Sequence, residues 1–447
     1  MADDVQELHG WGRFPVMESS VVASENLAEA TDRAVLSRGL GRAYGDAALP
    51  PEGSSAPVAV STRADRILAF DEATGVLRAE SGPSLSTLAR VYLPRNWFTP
   101  VSPGTQYVTL GGMVASDIHG KNHHVDGTFG NFVRALRMRV PDGRVLEVDR
   151  TTHPELFRAT LGGMGLTGHI LEVEVQLARI PSPWIREQSQ VAGSLREVMA
   201  RLEEASARSP MTVAWVDTSL RGRQMGRGII TEGRWATPEE APAHPPGPRF
   251  SVPIPFTLPS GLMNPATIRV LNEVYFRRHG SRPRDHVVHP GTFFWQLDLA
   301  TDWYRGYGRR GFTQYQAVLP RDPSVFEAFL RRFQEGGGSS FVTVLKDCGD
   351  PGEGLLSFPQ RGTTMALDIP IRSVERTRAL VRELNAFVID HGGRVYLAKD
   401  ALTDAEDFRR MYPSWEAFQA VRDQWDPERR LDSAQARRLF PHPVLPA

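Results

Sequence analysis

Cysteine is almost missing from this chain of 447 residues: Cys348 stands alone. No intramolecular disulfide can form, and a cysteine-based zinc site is excluded. An excess of either charge is missing too. The 52 lysines and arginines balance 52 aspartates and glutamates, which removes the electrostatic basis for nucleic-acid binding. No apolar run approaches the ~20 residues that span a bilayer. The opening MADDVQELHGWGRF is acidic and lacks the apolar stretch of a Sec signal peptide. These absences point to a cytoplasmic protein or one held peripherally at a membrane. What is plentiful is glycine and proline, 40 and 34 residues, and with them loops. The length exceeds what one compact core usually holds, so two domains are expected.

The first ~180 residues read as short strands and turns with two short helices. Strands are expected at 56–60, 66–70, 75–81, 133–139, 143–148 and 169–177, helices at 84–92 and 153–161. Beyond about Pro181 the order becomes helix (194–207), strands (211–217, 226–231), a Pro-rich loop (237–250), a helix (266–277) and a second loop (279–291). Strand 311–319, helix 323–335, strands 340–346 and 363–371, helix 373–391 and strand 394–399 follow. This order suggests an antiparallel sheet with helices on one face. The fold class is α+β. The division reads as 1–183, 184–393 and 394–447, the middle segment being an inserted substrate domain. The two loops are candidates for lids over a cleft.

Three glycine clusters carry the functional signal. The first is Arg38-Gly39-Leu40-Gly41-Arg42-Ala43-Tyr44-Gly45-Asp46, the second the run 101–133, the third Gly162–Gly168. Glycines let backbone approach a ligand closely and offer amides to anionic oxygens. Gly163-Met-Gly165-Leu-Thr-Gly168 matches G-x-G-x-x-G, but a helix precedes it and a strand follows. That is the reverse of a dinucleotide fingerprint, so an NAD-type Rossmann site is rejected. The three nearby histidines, His119, His123 and His124, fit no metal spacing, and no metal is expected.

Together the clusters resemble the flavin domain of the vanillyl-alcohol oxidase (para-cresol methylhydroxylase) superfamily. Nearly the whole chain resembles the decaprenylphosphoryl-β-D-ribose 2-oxidase family within it, through RGLGRAYGD, PGT-x-x-VT-x-GG, DIHGKNHH, FGN, GGMGLTG, GFTQYQ, YLAKD and MYP. The resemblance implies FAD, the two-domain fold, and oxidation of a secondary sugar hydroxyl. Its substrate would be polyprenyl-phosphoryl-β-D-ribofuranose, oxidised at position 2 in the cell-wall arabinan route. A separate NAD(P)H-dependent keto-reductase would complete the epimerisation. Many relatives attach the flavin covalently through a histidine in the first loop. Arg42 stands there, so noncovalent FAD is expected. The alternatives are a soluble alditol, aldonolactone or nucleoside-sugar oxidase, and a flavin-binding protein without catalysis.

Residue by residue, the resemblance assigns the cofactor to Arg38–Gly45, Pro103, Gly104, Thr105, Thr109, Gly111, Gly112, Ser116, His119, Gly120, Asn122, Gly163, Gly168, Ile170 and Tyr396. Lys399, His119, Gln316 and Tyr396 are the catalytic candidates. A cation at Lys399 would stabilise the anionic reduced ring. His119 would orient the sugar hydroxyl or act as base. Lys121, Gln314, Gln316, Lys346, Ala366 and Phe294 are assigned to substrate, Lys121 as a point charge for phosphate. Some relatives carry cysteine at the position of Ala366, so this chain lacks that thiol. Trp295 is either channel or core, and Asp46 is expected to cap local amides. Strict alternation would put Tyr396 and Lys399 on opposite faces of a strand, a conflict unless the strand ends between them. Gln314 and Gln316 share a face of a largely apolar strand, which is costly unless they are paired.

Overall fold

The computed structural model describes residues 4–440 apart from Pro248, Phe250 and Ser281. Parts of the 237–250 and 279–291 loops and the last seven residues therefore lie outside the described residues.

Two sheets form the N-terminal layer. One is four-stranded, in the order 4–9, 16–23, 58–60, 36–38, with parallel pairing of 58–60 to both 16–23 and 36–38. The other is antiparallel and five-stranded, in the order 67–71, 76–80, 169–176, 133–139, 145–149. The Pro141-Asp142-Gly143 turn closes its expected hairpin, Gly143 taking the positive φ of 93° that the turn demands.

Beside two two-stranded pairs, 97–98 with 178–179 and 252–253 with 300–301, the rest is built on one antiparallel eight-stranded sheet, in the order 284–288, 185–192, 228–235, 211–216, 343–348, 362–370, 312–319, 394–395. Phe326, Phe329, Leu330 and Phe333 recur at the spacing of one helical face on Pro323–Glu335 and are fully buried. Each such side chain contributes about 1.5–3 kcal/mol relative to exposure. Asp322 caps this helix, accepting from Ser324 N at 2.7 Å, with Pro323 at its first position.

Two expectations are corrected. The strand expected over 394–399 stops at Val395, and Tyr396–Lys399 is a turn closed by Lys399 N donating to Tyr396 O at 2.9 Å. The expected loop 279–291 contains the edge strand Arg284–Val288 and the start of the helix Pro290–Phe294. The Asp46 carboxylate, besides its local backbone amide, reaches a distant partner. It accepts from Arg438 Nη2 at 2.6 Å, while Arg438 Nη1 donates to Asp400 at 2.8 Å. This buried bridge fastens the first glycine loop to the 396–400 turn and to the last helix, Ala434–Leu439.

Removing one partner of a buried ion pair typically costs about 3–5 kcal/mol, because the other charge stays buried alone. Arg438→Gln strands two carboxylates, Asp46 and Asp400. It is expected to lower the thermal midpoint by several degrees, read by calorimetry. An unchanged midpoint would mean that the bridge holds nothing together.

Candidate active site

One cavity gathers residues from the N-terminal sheets' loops and from the eight-stranded sheet. The first glycine loop supplies Gly39, Leu40, Gly41, Arg42, Ala43 and Tyr44. The second run supplies Pro103, Gly104, Thr105, Thr109, Gly112, Ser116 and His119. From the eight-stranded sheet come Gln314, Gln316, Lys346 and Ala366, and from the turn after it Tyr396 and Lys399. Because the strand ends at Val395, Tyr396 and Lys399 reach one cavity without violating alternation. Gln314, Gln316 and Ala366 do so by obeying it.

Ten of the sequence-assigned residues do not line this cavity. Most of them shape it instead. Arg38 donates to His9 O at 2.8 Å and Ala48 O at 2.9 Å, holding the first loop from behind. Gly45 admits a contact no side chain allows: a Cβ there would stand 1.6 Å from Asp400 O. Gly111, Gly163 and Gly168 allow similar close packing, against Ser81, Ala159 O and Met138. Gly120 packs against Asn122 and Ser102. Asn122 donates to Pro100 O at 2.7 Å and Asp126 Oδ2 at 2.6 Å. Ile170 is sheet core. Lys121 turns away from the cavity, donating to Phe293 O with its ammonium 4.2 Å from the centre of the Phe293 ring. Phe294 stacks on Phe98 with ring centres 5.5 Å apart and belongs to an aromatic core that also holds Trp295.

The catalytic candidates form two linked networks. In the first, Gln316 Nε2 donates to Thr364 Oγ1 at 3.1 Å, and Thr364 donates onward to Ala317 O at 3.0 Å. The same amide lies 2.9 Å from His119 Nε2, and Lys346 Nζ lies 3.4 Å from His119 Nδ1, so each ring nitrogen faces a side-chain nitrogen. Burial, with Lys346 and Lys399 nearby, holds His119 far below the usual histidine range, so it is neutral. Tyr396 braces this ring edge-on at 5.5 Å and donates to Ser116 O at 2.8 Å.

In the second network Asp368, fully buried, accepts from Gln314 Nε2 at 2.6 Å and from Tyr307 Oη at 3.0 Å. Burial pushes Asp368 up to about 7 and Lys399 down to about 7, each partly restrained by the other's charge. Lys399 Nζ sits 3.8 Å from the centre of the Tyr44 ring, a cation–π contact that aims it along the cavity.

Whether these residues suit a flavin is tested by what they leave open. Gly104 and Gly165 face space with nothing within 4 Å of a would-be Cβ, and both line the cavity. Arg42 stacks 3.6 Å over Trp11 with its Nε buried and without a hydrogen-bond partner. Open glycine backbone and an unsatisfied guanidinium N–H suit an elongated, anionic, aromatic ligand.

Sequence reasoning passed over several lining residues. Val342 and Val344 precede Lys346 at a spacing of two, and that alternation could have marked them. In GGMGLTG it is the middle pair, Met164 and Gly165, that reaches the cavity, because both turn through positive φ, 54° and 80°. Trp11, Asp298 and Trp303 arrive from distant segments with no local signal. His123 and His124 point apart, to Gly349 N and Ser209 O. Among the described residues no group of three or more His, Cys, Asp and Glu side chains is placed to share a metal ion.

The only thiol, Cys348, is buried and pushed up to about 12 by desolvation, so it is a poor nucleophile. The native protein is expected to resist a maleimide. Ala366→Cys should label quickly, and added FAD should slow that labelling. Labelling at Cys348 in the native protein would contradict the burial.

A model of FAD-binding domains matches residues 13–149, and one of D-arabinono-1,4-lactone oxidase matches residues 365–439. Over 97% of its length the chain is 34% identical to decaprenylphosphoryl-beta-D-ribose oxidase of Mycolicibacterium smegmatis, 97% of which is covered. Over 80% of its length it is 36% identical to an uncharacterized protein of Streptomyces coelicolor, 99% of which is covered. A stretch of 27% of the chain is 28% identical to a D-lactate dehydrogenase of Anaerostipes hadrus, 26% of which is covered. With its paired glycine loops facing a lysine, a histidine and a glutamine, the chain belongs to the decaprenylphosphoryl-β-D-ribose oxidase family of FAD-dependent oxidoreductases, which have the two-domain α+β fold of the vanillyl-alcohol oxidase type.

Proposed function

We propose that this enzyme oxidises a secondary hydroxyl of a polyprenyl-phosphoryl pentose, position 2 of the β-D-ribofuranose, to the keto sugar. A separate NAD(P)H-dependent keto-reductase would then complete epimerisation to the arabinose donor. The observation that carries this reading is the meeting of Lys399, His119 and Gln316 in one cavity with the glycine loops. The near full-length likeness to an enzyme named for this sugar phosphate supports it. Residues 1–183 and 394–447 would hold the cofactor and 184–393 the sugar, with Arg394–Val395 finishing the inserted sheet before the chain turns back.

Bound FAD supplies the acceptor for the hydride leaving the carbinol carbon. The chain supplies position and charge. The glycine loops present backbone, and Arg42 has an N–H to give. Lys399 offers a cation where negative charge gathers. Neutral His119, held by Gln316 and Tyr396, can orient the sugar hydroxyl or accept its proton. Gln314, its amide fixed by Asp368, faces the cavity beside Tyr44. Lys346 takes over the phosphate role that Lys121, turned toward Phe293, does not fill.

Anaerobic addition of polyprenyl-phosphoryl ribose to the FAD-loaded enzyme is expected to bleach its visible absorbance. Lys399→Ala should keep FAD yet slow that bleaching by on the order of 10²–10³-fold. Bleaching by a simple polyol and not by the lipid-linked sugar would move the assignment to a soluble oxidase. Acid precipitation should leave the yellow colour entirely in the supernatant, since Arg42 cannot form the histidyl bond. Colour in the pellet would show a covalent link elsewhere.

A further inference from the structure

Asp368 is fully buried on strand 362–370, directly opposite Gln314 of strand 312–319 in the antiparallel register. Directly paired residues leave a sheet on the same face. The carboxyl therefore stands beside an amide that lines the cavity.

What holds this carboxyl differs from what holds its counterparts. Asp46 and Asp400 share Arg438, Asp217 pairs with Arg227 at 3.1 Å, and Asp347 meets Arg321 at 3.4 Å. Asp117 and Asp298 accept from the peptide N–H groups of Gly130 and Gln106, both at 2.8 Å. Asp368 has neither kind of partner. Its donors are the Gln314 amide at 2.6 Å and the Tyr307 hydroxyl at 3.0 Å, both uncharged. Among the described residues no ion pair engages it. A buried carboxylate held only by neutral donors is costly unless a cation's field reaches it. The cation that does so is Lys399.

Lys399 has the matching problem. Its ammonium lies over the Tyr44 ring, and among the described residues no carboxylate pairs with it directly. Four titratable groups face it. They are Tyr44 from the first glycine loop, His119 from the second run, Lys346 from strand 343–348 and Asp368. Burial keeps Tyr44 and His119 neutral, and Lys346 repels. Tyr307, on the other side of Asp368, is neutral for the same reason as Tyr44. Arg42 and Asp298 act on Tyr44. Asp368 is thus the acid of this group whose charge favours the ammonium.

We propose that Asp368 is a positioning residue for Lys399: its negative charge keeps the Lys399 ammonium protonated, and its bonds to Gln314 and Tyr307 fix where that charge stands. The use of this in catalysis, a cation in place before the hydride leaves, rests on the function proposed above. The coupling of the two charges does not.

Competitive acetylation of the FAD-loaded protein across pH, read at Lys399 by peptide mass spectrometry, follows the neutral amine. Asp368 strengthens the hold of Lys399 on its proton, so removing the acid must shift Lys399 to lower pH. Asp368→Asn keeps the shape of the side chain and drops its charge. It should move the Lys399 midpoint down by about one pH unit or more. Asp368→Glu, which restores the charge, should return the midpoint toward the wild type. Tyr307→Phe takes a hydrogen bond from the same carboxyl and leaves its charge, so it should shift the midpoint by less than half as much. With polyprenyl-phosphoryl ribose, the alkaline limb of the bleaching rate should move down with the midpoint in Asp368→Asn. Lys399→Met gives the reciprocal reading and needs no change at Asp368. Its carboxyl, having lost the cation, should show a protonated-carboxyl infrared band at mildly alkaline pH that the wild type lacks. An unmoved Lys399 midpoint in Asp368→Asn, an equal shift in Tyr307→Phe, or no new carboxyl band in Lys399→Met overturns the proposal. A shifted midpoint in an enzyme whose flavin the polyprenyl sugar does not bleach keeps the coupling and removes the substrate assignment.

Discussion

The Arg438 bridge is the constraint on which the cavity rests. One guanidinium holds Asp46, from the first glycine loop, and Asp400, from the turn that presents Lys399. Both carboxylates are buried, so neither can find water if the arginine leaves. Gly45 makes the same junction tight from the other side, because only its missing side chain lets Asp400 O come so near. Tyr44 N, bound to Ala398 O at 2.9 Å, completes the clamp. The loop that faces the cofactor and the lysine that faces the chemistry therefore move together.

Much of this was legible in the sequence, for identifiable reasons. Strand 312–319 alternates, and alternation alone put Gln314 and Gln316 on one face. Helix 323–335 could be read from its capping aspartate, its proline and its phenylalanine spacing. The glycine clusters were plain because so few large residues interrupt them. What failed to show has causes as definite. Helix Leu110–Ala115 contains Gly111 and Gly112, poor helix formers, and stands because Thr109 accepts from Gly112 N at 3.2 Å. Strand Ile185–Ala192 carries polar residues, so no apolar rhythm announces it. Arg284–Val288 lies at a sheet edge, where charged side chains are normal and imitate a loop.

The site's residues divide by whether their role is local. Gly39, Gly41 and His119 announce themselves within their own motifs. Lys121 belongs to the same DIHGKNHH motif as His119, yet a lysine's long stem lets it choose a distant partner. It chose the Phe293 carbonyl and the Phe293 ring. Asp46, read locally, looked like a turn cap. Its partner is 392 residues away, a pairing no window of sequence can reveal. Trp11 under Arg42 is the same kind of case: it turns an arginine that cannot bond covalently to a flavin into a rigid, half-satisfied donor.

Lys399 and Lys346 line one cavity, pushed down to about 7 and about 8 because the surrounding protein penalises their charge. An arriving anion reverses that penalty. Near neutral pH, part of the positive charge that meets it must come from solvent protons rather than from cations already in place. Binding of phosphates in this cavity is thus also a withdrawal of hydrogen ions from the buffer.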